Sequence, residues 1–80
     1  MDIREVFGAN VRRYRLEAGL SQEAVAVLMG VDRAYVSGIE RGQVNATLLT
    51  IWGTSQALKV RPMDLLDETF AESMGNGAAT

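Results

Sequence analysis

The chain has 80 residues, which is enough for one domain with a single modest core. Its 8 basic and 10 acidic residues give a net charge of -2, and this average argues against binding to nucleic acid. With neither Cys nor His, the sequence excludes disulfides, thiol catalysis and metal sites built on those residues. It also has no signal-peptide core and no apolar run of bilayer length, so we expect a cytoplasmic protein without a membrane span.

The first segment has the spacing of an amphipathic helix. Asp2 precedes it and Glu5 follows three residues later, which is the pattern of a capping box. Gly19 is the expected end of the helix. The apolar stripe of this helix, with Val6 beside it, consists of Ile3, Phe7, Val11 and Tyr14.

Two short helices are predicted next, and the turn between them is the most informative feature of the chain. Ser21 is a suitable cap for the first of them, which runs to Gly30. Asp32 can cap the second, which stops at Gly42. Two helices of about nine residues joined by so tight a turn are typical of a helix-turn-helix.

Two more helices complete the prediction. Thr47 is a fair cap for the fourth helix, and Pro62 suits the first position of a short fifth one. No segment alternates with period two, so the predicted fold class is all-α with five helices. We expect one domain over residues 1–72 and a disordered tail over residues 73–80. One stripe of the fourth helix consists of Leu48, Ile51, Ser55 and Leu58.

The third helix has one face on which small side chains lie between two arginines. At 100° per residue, Val36 and Ile39 fall on the opposite, apolar side. Such a face can approach the base edges in a major groove, where Arg can pair with guanine. A solvated face without a ligand is the alternative interpretation. The predicted outward residues are Arg33, Ala34, Ser37, Gly38 and Arg41.

The distribution of charge along the chain favours DNA binding more than the net charge does. Residues 1–61 hold all 8 basic residues and six of the acids, whereas residues 62–80 hold four acids and no base. Three of the six acids, Asp2, Glu23 and Asp32, stand at helix starts, where the helix dipole explains them.

Residues 19–42 resemble the helix-turn-helix of the phage repressor and Cro-like (XRE-type) DNA-binding family, with the sequence GLSQEAVAVLMGVDRAYVSGIERG. Within that family the stretch VDRAYVSGIERG is most similar to the controller proteins of restriction-modification systems. The resemblance covers roughly residues 4–66. It implies a repressor-like fold, double-stranded DNA as partner, and a homodimer.

The resemblance also implies roles for individual residues. Arg33 and Ala34 would face bases, with Ser37 close behind. Gln22 would contact a phosphate or a base edge. The remaining expected backbone contacts are Tyr35 and Arg41.

For some residues of this segment, a purely structural role is the alternative interpretation. Ser21 is better explained as a cap than as a contact, Tyr35 could pack at the helix edge, and Gly38 could permit helix packing. The family's semi-buried acid corresponds to Glu40, whose expected partner is Arg15 on the first helix.

Several positions depart from the family's pattern. Ala46 stands where many members have Pro, and Gly53 weakens the fourth helix. Lys59 replaces a common Gly, and Arg61 replaces a usual capping Ser, so the fifth helix lacks its expected cap.

An apolar excess near the C-terminus predicts a dimer interface, because a domain of this size cannot enclose all of it. For Trp52 the alternative is a place in the core. The expected interface residues are Trp52, Met63, Leu65 and Leu66.

The sequence therefore predicts a homodimeric DNA-binding transcriptional regulator, by default a repressor, on a palindromic operator. Alternatives are an antitoxin-type autoregulator and an anti-repressor-like module that binds protein instead of DNA. No nucleophile-base pair or metal cluster supports an enzyme, and no cofactor or small-molecule effector is evident.

Overall fold

The computed structural model describes residues 1–69, and these form five α-helices and no strand. The all-α prediction is thereby confirmed. The predicted domain end at residue 72 and the predicted tail over residues 73–80 lie outside the described residues. The helices are α1 (Ile3–Glu17), α2 (Gln22–Met29), α3 (Arg33–Glu40), α4 (Leu48–Leu58) and α5 (Pro62–Leu65).

Three of the helices begin with the predicted side-chain caps. Asp2 accepts from the backbone N–H of Arg4 at 2.8 Å, and Glu5 accepts from that of Asp2 at 3.0 Å, which completes the capping box. Ser21 Oγ accepts from the N–H of Ala24 at 3.0 Å. Thr47 Oγ1 likewise accepts from the N–H of Thr50 at 3.1 Å. These bonds satisfy amide donors that the first turn of a helix leaves free.

The other two helices begin differently. Asp32 occupies the N-cap position of α3, but its side chain makes no capping hydrogen bond. At α5 the carboxylate of Asp64 accepts from the backbone N–H of Arg61 at 3.0 Å and from its Nη2 at 3.3 Å. These bonds hold the pKa of Asp64 below its usual value. The start of α5 is thus stabilised by Asp64, a residue of the helix itself, although Arg61 is a poor cap.

All five helices contribute to one core. Ile3 and Leu48, which were predicted to begin the stripes of α1 and α4, are exposed instead. The buried apolar side chains are Val6, Phe7, Val11, Val25, Ala26, Val36, Ile39, Leu58 and Leu65.

The burial of Leu65 corrects one prediction about the dimer interface. Its side chain is 0% exposed, so it belongs to the core and not to a surface. The reason lies in α1, where Asn10 donates from Nδ2 to the carbonyl oxygens of Leu65 at 3.0 Å and Asp67 at 2.9 Å. These bonds draw α5 against α1. Trp52, by contrast, is 55% exposed and is not a core residue.

The close approach of α1 to the end of α3 depends on Gly8. A Cβ at this position would collide with the carbonyl oxygen of Ile39 and lie 3.0 Å from that of Glu40. Only Gly leaves room for the α3 backbone here. This crossing fixes the position of α3, the helix that carries the candidate site.

Candidate functional site

The turn between α2 and α3 has the tight geometry that the sequence predicted. Gly30 ends α2 in the left-handed conformation, with φ 72°, which favours Gly. The N–H of Val31 then donates to the carbonyl oxygen of Ala26 at 3.0 Å, and Val31 packs against the core. Since Val36 and Ile39 of α3 are buried, the opposite face of α3 is turned outward.

The outward face of α3 combines positive charge with small side chains. Arg33, Ala34 and Arg41 are exposed, and Ser37 between them is half-buried. The small side chains leave the helix backbone accessible, while the guanidinium groups stand at the two ends. This arrangement can bring hydrogen-bond donors close to a polyanion.

Gly38 does not belong to this face, contrary to the prediction. It is buried, and a Cβ there would lie 3.2 Å from Cγ2 of Val44. The chain turns back after α3, and the N–H of Gln43 donates to the carbonyl oxygen of Gly38 at 3.0 Å. The loop therefore covers a flank of α3 that an isolated helix would leave open. Helix packing, the alternative interpretation of Gly38, agrees with this environment.

Tyr35 is half-buried and links α3 to α4. Its ring packs against the core, and its hydroxyl lies 3.3 Å from Oγ1 of Thr50. The structure thus shows the packing role that the sequence offered as an alternative. A phosphate contact through the exposed part of Tyr35 remains a prediction.

Arg15 and Glu40 form the predicted pair between α1 and α3. Arg15 donates from Nε to Glu40 Oε2 at 2.6 Å and from Nη2 to Oε1 at 3.0 Å, and from Nη1 to the carbonyl oxygen of Leu20 at 3.0 Å. The side chains are only 11% and 5% exposed. The hydrogen bonds to Glu40 raise the pKa of Arg15 above its usual value. The pair holds the end of α3 against α1.

Gln22 connects this pair to the outward face. Its Nε2 donates to Glu40 Oε1 at 3.1 Å, and its Oε1 accepts from Arg33 Nη1 at 3.1 Å. Each of the four side chains was assigned a role from the sequence, but a contact of Gln22 with Glu40 or Arg33 was not predicted. The four are Arg15, Gln22, Arg33 and Glu40. Neither contact has a periodic signature, since they span 18 and 11 residues across a turn.

Five large apolar side chains on α4, on α5 and directly after α5 are exposed. Leu48 and Leu49 are 84% and 82% exposed, and Met63 is 62% exposed. Leu49 was not among the predicted interface residues, and Leu48 was predicted to lie on the stripe of α4 that faces the core. Because Leu48 and Leu49 lie four and three residues before Trp52, all three can share one side of α4. We call this set the apolar surface: Leu48, Leu49, Trp52, Met63 and Leu66.

Two classes of feature are absent from the part of the chain that the structure describes. Residues 1–69 contain no cluster of three or more metal-ligating side chains. Within the same range, no helix has both the length and the apolar character needed to cross a membrane.

Comparisons with known proteins agree with this geometry. The helix-turn-helix family model HTH_3 matches residues 11–65. The control protein C.BamHI of Bacillus amyloliquefaciens is 46% identical over 69 residues, which are 85% of each chain.

Two solved structures of restriction-modification controller proteins are also similar. C.AhdI from Aeromonas hydrophila has a TM-score of 0.75 and 45% identity, over 78% of this chain and 94% of that one. The C.Esp1396I tetramer, solved in complex with its natural 35 base-pair operator, has a TM-score of 0.74 and 29% identity, over 81% and 86% of the two chains.

Proposed function

Because the chain belongs to the helix-turn-helix family HTH_3, whose members include transcriptional regulators and controller proteins, we propose that it regulates transcription as a homodimer on an inverted-repeat operator. The observation that carries the proposal is the outward face of α3. Two exposed arginines lie there on either side of small side chains. The helix-turn-helix formed by α2 and α3 presents this face to the outside.

In the proposed complex α3 lies in the major groove. Arg33, in the first turn of α3, donates to a base pair, with guanine as the preferred partner. Ala34 and Ser37 approach neighbouring bases, and their small side chains permit that approach. Arg41, at the end of α3, binds a phosphate and contributes to affinity without discriminating between sequences.

The apolar surface supports the dimer. One α3 reads only a few base pairs, so a second copy is needed for the selectivity that a genome demands. Dimers of this architecture place their reading helices about 34 Å apart, which corresponds to half-sites about 10 base pairs apart. The relative C.Esp1396I was solved as a tetramer on its operator, which supports oligomeric binding to DNA for this chain also.

The proposal is tested by selecting bound sites from random duplex DNA with the purified full chain. We expect enrichment of one inverted repeat, and protection of that repeat from nuclease digestion. A chain that binds all duplexes equally, or none, would contradict sequence-specific regulation. A chain that binds no duplex would favour the alternative function, a module that binds protein instead of DNA.

A further inference from the structure

A groove beside α4 is lined entirely by uncharged residues. It has a volume of about 190 Å³ and lies between α4 and the helix-turn-helix of α2 and α3. Val31 of the turn and Tyr35 of α3 form part of its wall. A molecule held in the groove would therefore contact both α4 and the elements that position the outward face. The residues that line the groove are Met29, Val31, Tyr35, Leu49, Thr50 and Gly53.

Gly53 gives the groove its room, and nothing else in the fold explains a glycine there. At Gly8 and Gly38 a Cβ would come close to a neighbouring segment, whereas at Gly53 it would meet no atom within 4 Å. The backbone at Gly53 is helical, so its conformation does not require Gly either. Gly in a helix interior costs about 1 kcal/mol relative to Ala. The missing side chain leaves space in the groove in exchange for that loss.

Two hydroxyl groups give the groove a polar point. The hydroxyl of Tyr35 lies 3.3 Å from Oγ1 of Thr50, and both residues line the groove. Hydroxyl pairs are usually closer, at roughly 2.7 to 2.8 Å, so this bond is weak. Each hydroxyl can also accept a hydrogen bond from a third group. A molecule in the groove that carries one N–H or O–H can therefore donate to this pair.

From these features we propose that the groove binds a small, neutral, planar aromatic molecule with one hydrogen-bond donor. A cavity of about 150 Å³ with apolar walls can hold benzene, so the groove has the size for a single bicyclic ring. The thioether of Met29 and the ring of Tyr35 both make favourable contacts with aromatic rings. An ion is disfavoured, because a charge withdrawn from water would find no opposite charge in the lining.

A second copy of the chain is the competing occupant, because Leu49 belongs to the apolar surface as well as to the groove. Trp52, however, does not line the groove. At 100° per residue, Gly53 lies 100° further round α4 than Trp52, on the side that faces α2 and α3. The groove is thus at the flank of the apolar surface. Binding of a small molecule there goes beyond the proposed regulation of transcription and does not depend on it.

The test uses indole as the probe, added to the purified full chain without DNA. Calorimetry should show saturable binding of one indole per chain with a Kd below about 1 mM. In NMR spectra the amide signals of Val31 and Gly53 should move, whereas that of Gly8 should stay in place. 1-Methylindole should bind about fivefold more weakly than its isomer 3-methylindole, because only the second keeps the N–H donor.

A variant that fills the groove locates the site. Gly53→Leu should weaken indole binding by at least about tenfold, because its side chain takes up the space in an otherwise packed wall. Leu is a better helix former than Gly, so α4 should keep its fold, which circular dichroism checks. Gln56→Leu is the matched control, since it adds the same side chain at an exposed position of α4 and should bind like the parent.

Three results would overturn the site. The first is a parent that does not bind indole saturably, and the second is a folded Gly53→Leu variant that binds as tightly as the parent. The third is a shift of amide signals away from Val31 and Gly53, which stays decisive if Gly53→Leu does not fold. If the parent did not bind indole and Gly53→Leu turned a dimer into a monomer, a second copy would occupy the groove instead. These measurements contain no DNA, so their failure is distinct from a failure of the proposed function.

Discussion

At the scale of single residues, two Arg–Glu ion pairs are expected to contribute very differently to the stability of the fold. Arg15 and Glu40 are almost wholly withdrawn from solvent, whereas the Arg13–Glu17 pair on α1 has side chains 35% and 57% exposed. Removing one partner of a buried pair leaves a charge without compensation, whereas water compensates at the surface. The buried pair also orients Gln22, so it serves both the fold and the outward face.

Glu40→Ala should therefore lower the free energy of unfolding by about 3 to 5 kcal/mol, because it leaves the Arg15 guanidinium buried without its carboxylate. Glu17→Ala is the matched control and should cost no more than about 0.5 kcal/mol. Urea denaturation followed by circular dichroism measures both. Equal stability of Glu40→Ala and the parent would show that the pair contributes nothing to the fold.

The two arginines of the outward face should affect DNA binding in different ways. Arg33→Ala should cost about 1 to 3 kcal/mol of specific binding and relax the preference at one base pair. Arg41→Ala should weaken binding to all sequences and reduce the salt slope of the binding constant by about one unit. Titrations of operator and random duplexes over a range of salt concentrations distinguish the two. If Arg33→Ala weakened both duplexes equally, Arg33 would be a phosphate contact.

At the scale of elements, the position of α3 depends on how closely α1 crosses it. Gly8 faces the carbonyl oxygens of Ile39 and Glu40, whereas a Cβ at Gly53 in α4 would meet no atom within 4 Å. Of these two glycines, only Gly53 was predicted from the sequence to weaken its helix. The importance of Gly8 follows from a neighbour 31 positions away, and no local pattern carries that information.

Gly8→Ala and Gly53→Ala should consequently have opposite effects. Gly8→Ala should destabilise the fold by at least about 1 to 3 kcal/mol, because the new methyl group forces α1 and α3 apart. Gly53→Ala should stabilise it by up to about 1 kcal/mol, since Ala is the better helix former and the space is open. Thermal unfolding compares the two variants directly. A Gly8→Ala variant as stable as Gly53→Ala would contradict the close crossing.

At the scale of the whole molecule, the residues after Pro62 are divided between core and surface. Leu65 is buried beneath α1, whereas Met63, two residues earlier, is exposed on the apolar surface. Both residues were predicted to lie at a dimer interface. Their separation means that a charge at each position should have a different consequence.

Met63→Lys should give a folded monomer whose operator affinity collapses while weak nonspecific binding persists, because the charge disrupts only the apolar surface. Leu65→Lys should unfold the chain, because it buries an unpaired ammonium in the core. Sedimentation and circular dichroism separate these outcomes. A parent that is monomeric at tens of micromolar and binds a single half-site with full affinity would refute the dimer.

The sequence by itself determined the local features of this protein, namely five helices, their caps at Asp2, Ser21 and Thr47, and the turn at Gly30. These depend on hydrogen bonds within a few residues and on the helical period, which a sequence displays directly. The motif that carries the family resemblance lies in one continuous segment and was readable for the same reason.

Only the tertiary structure decided which positions at the ends and edges of the predicted stripes are covered. Gly38 lies under Val44, Leu65 lies in the core beneath α1, and Leu48 is exposed to solvent. Gln22 meets Glu40 and Arg33 only because α2 and α3 fold back on each other. A helical projection gives the direction of a side chain but not what stands opposite it, because burial depends on where distant segments of the chain are packed.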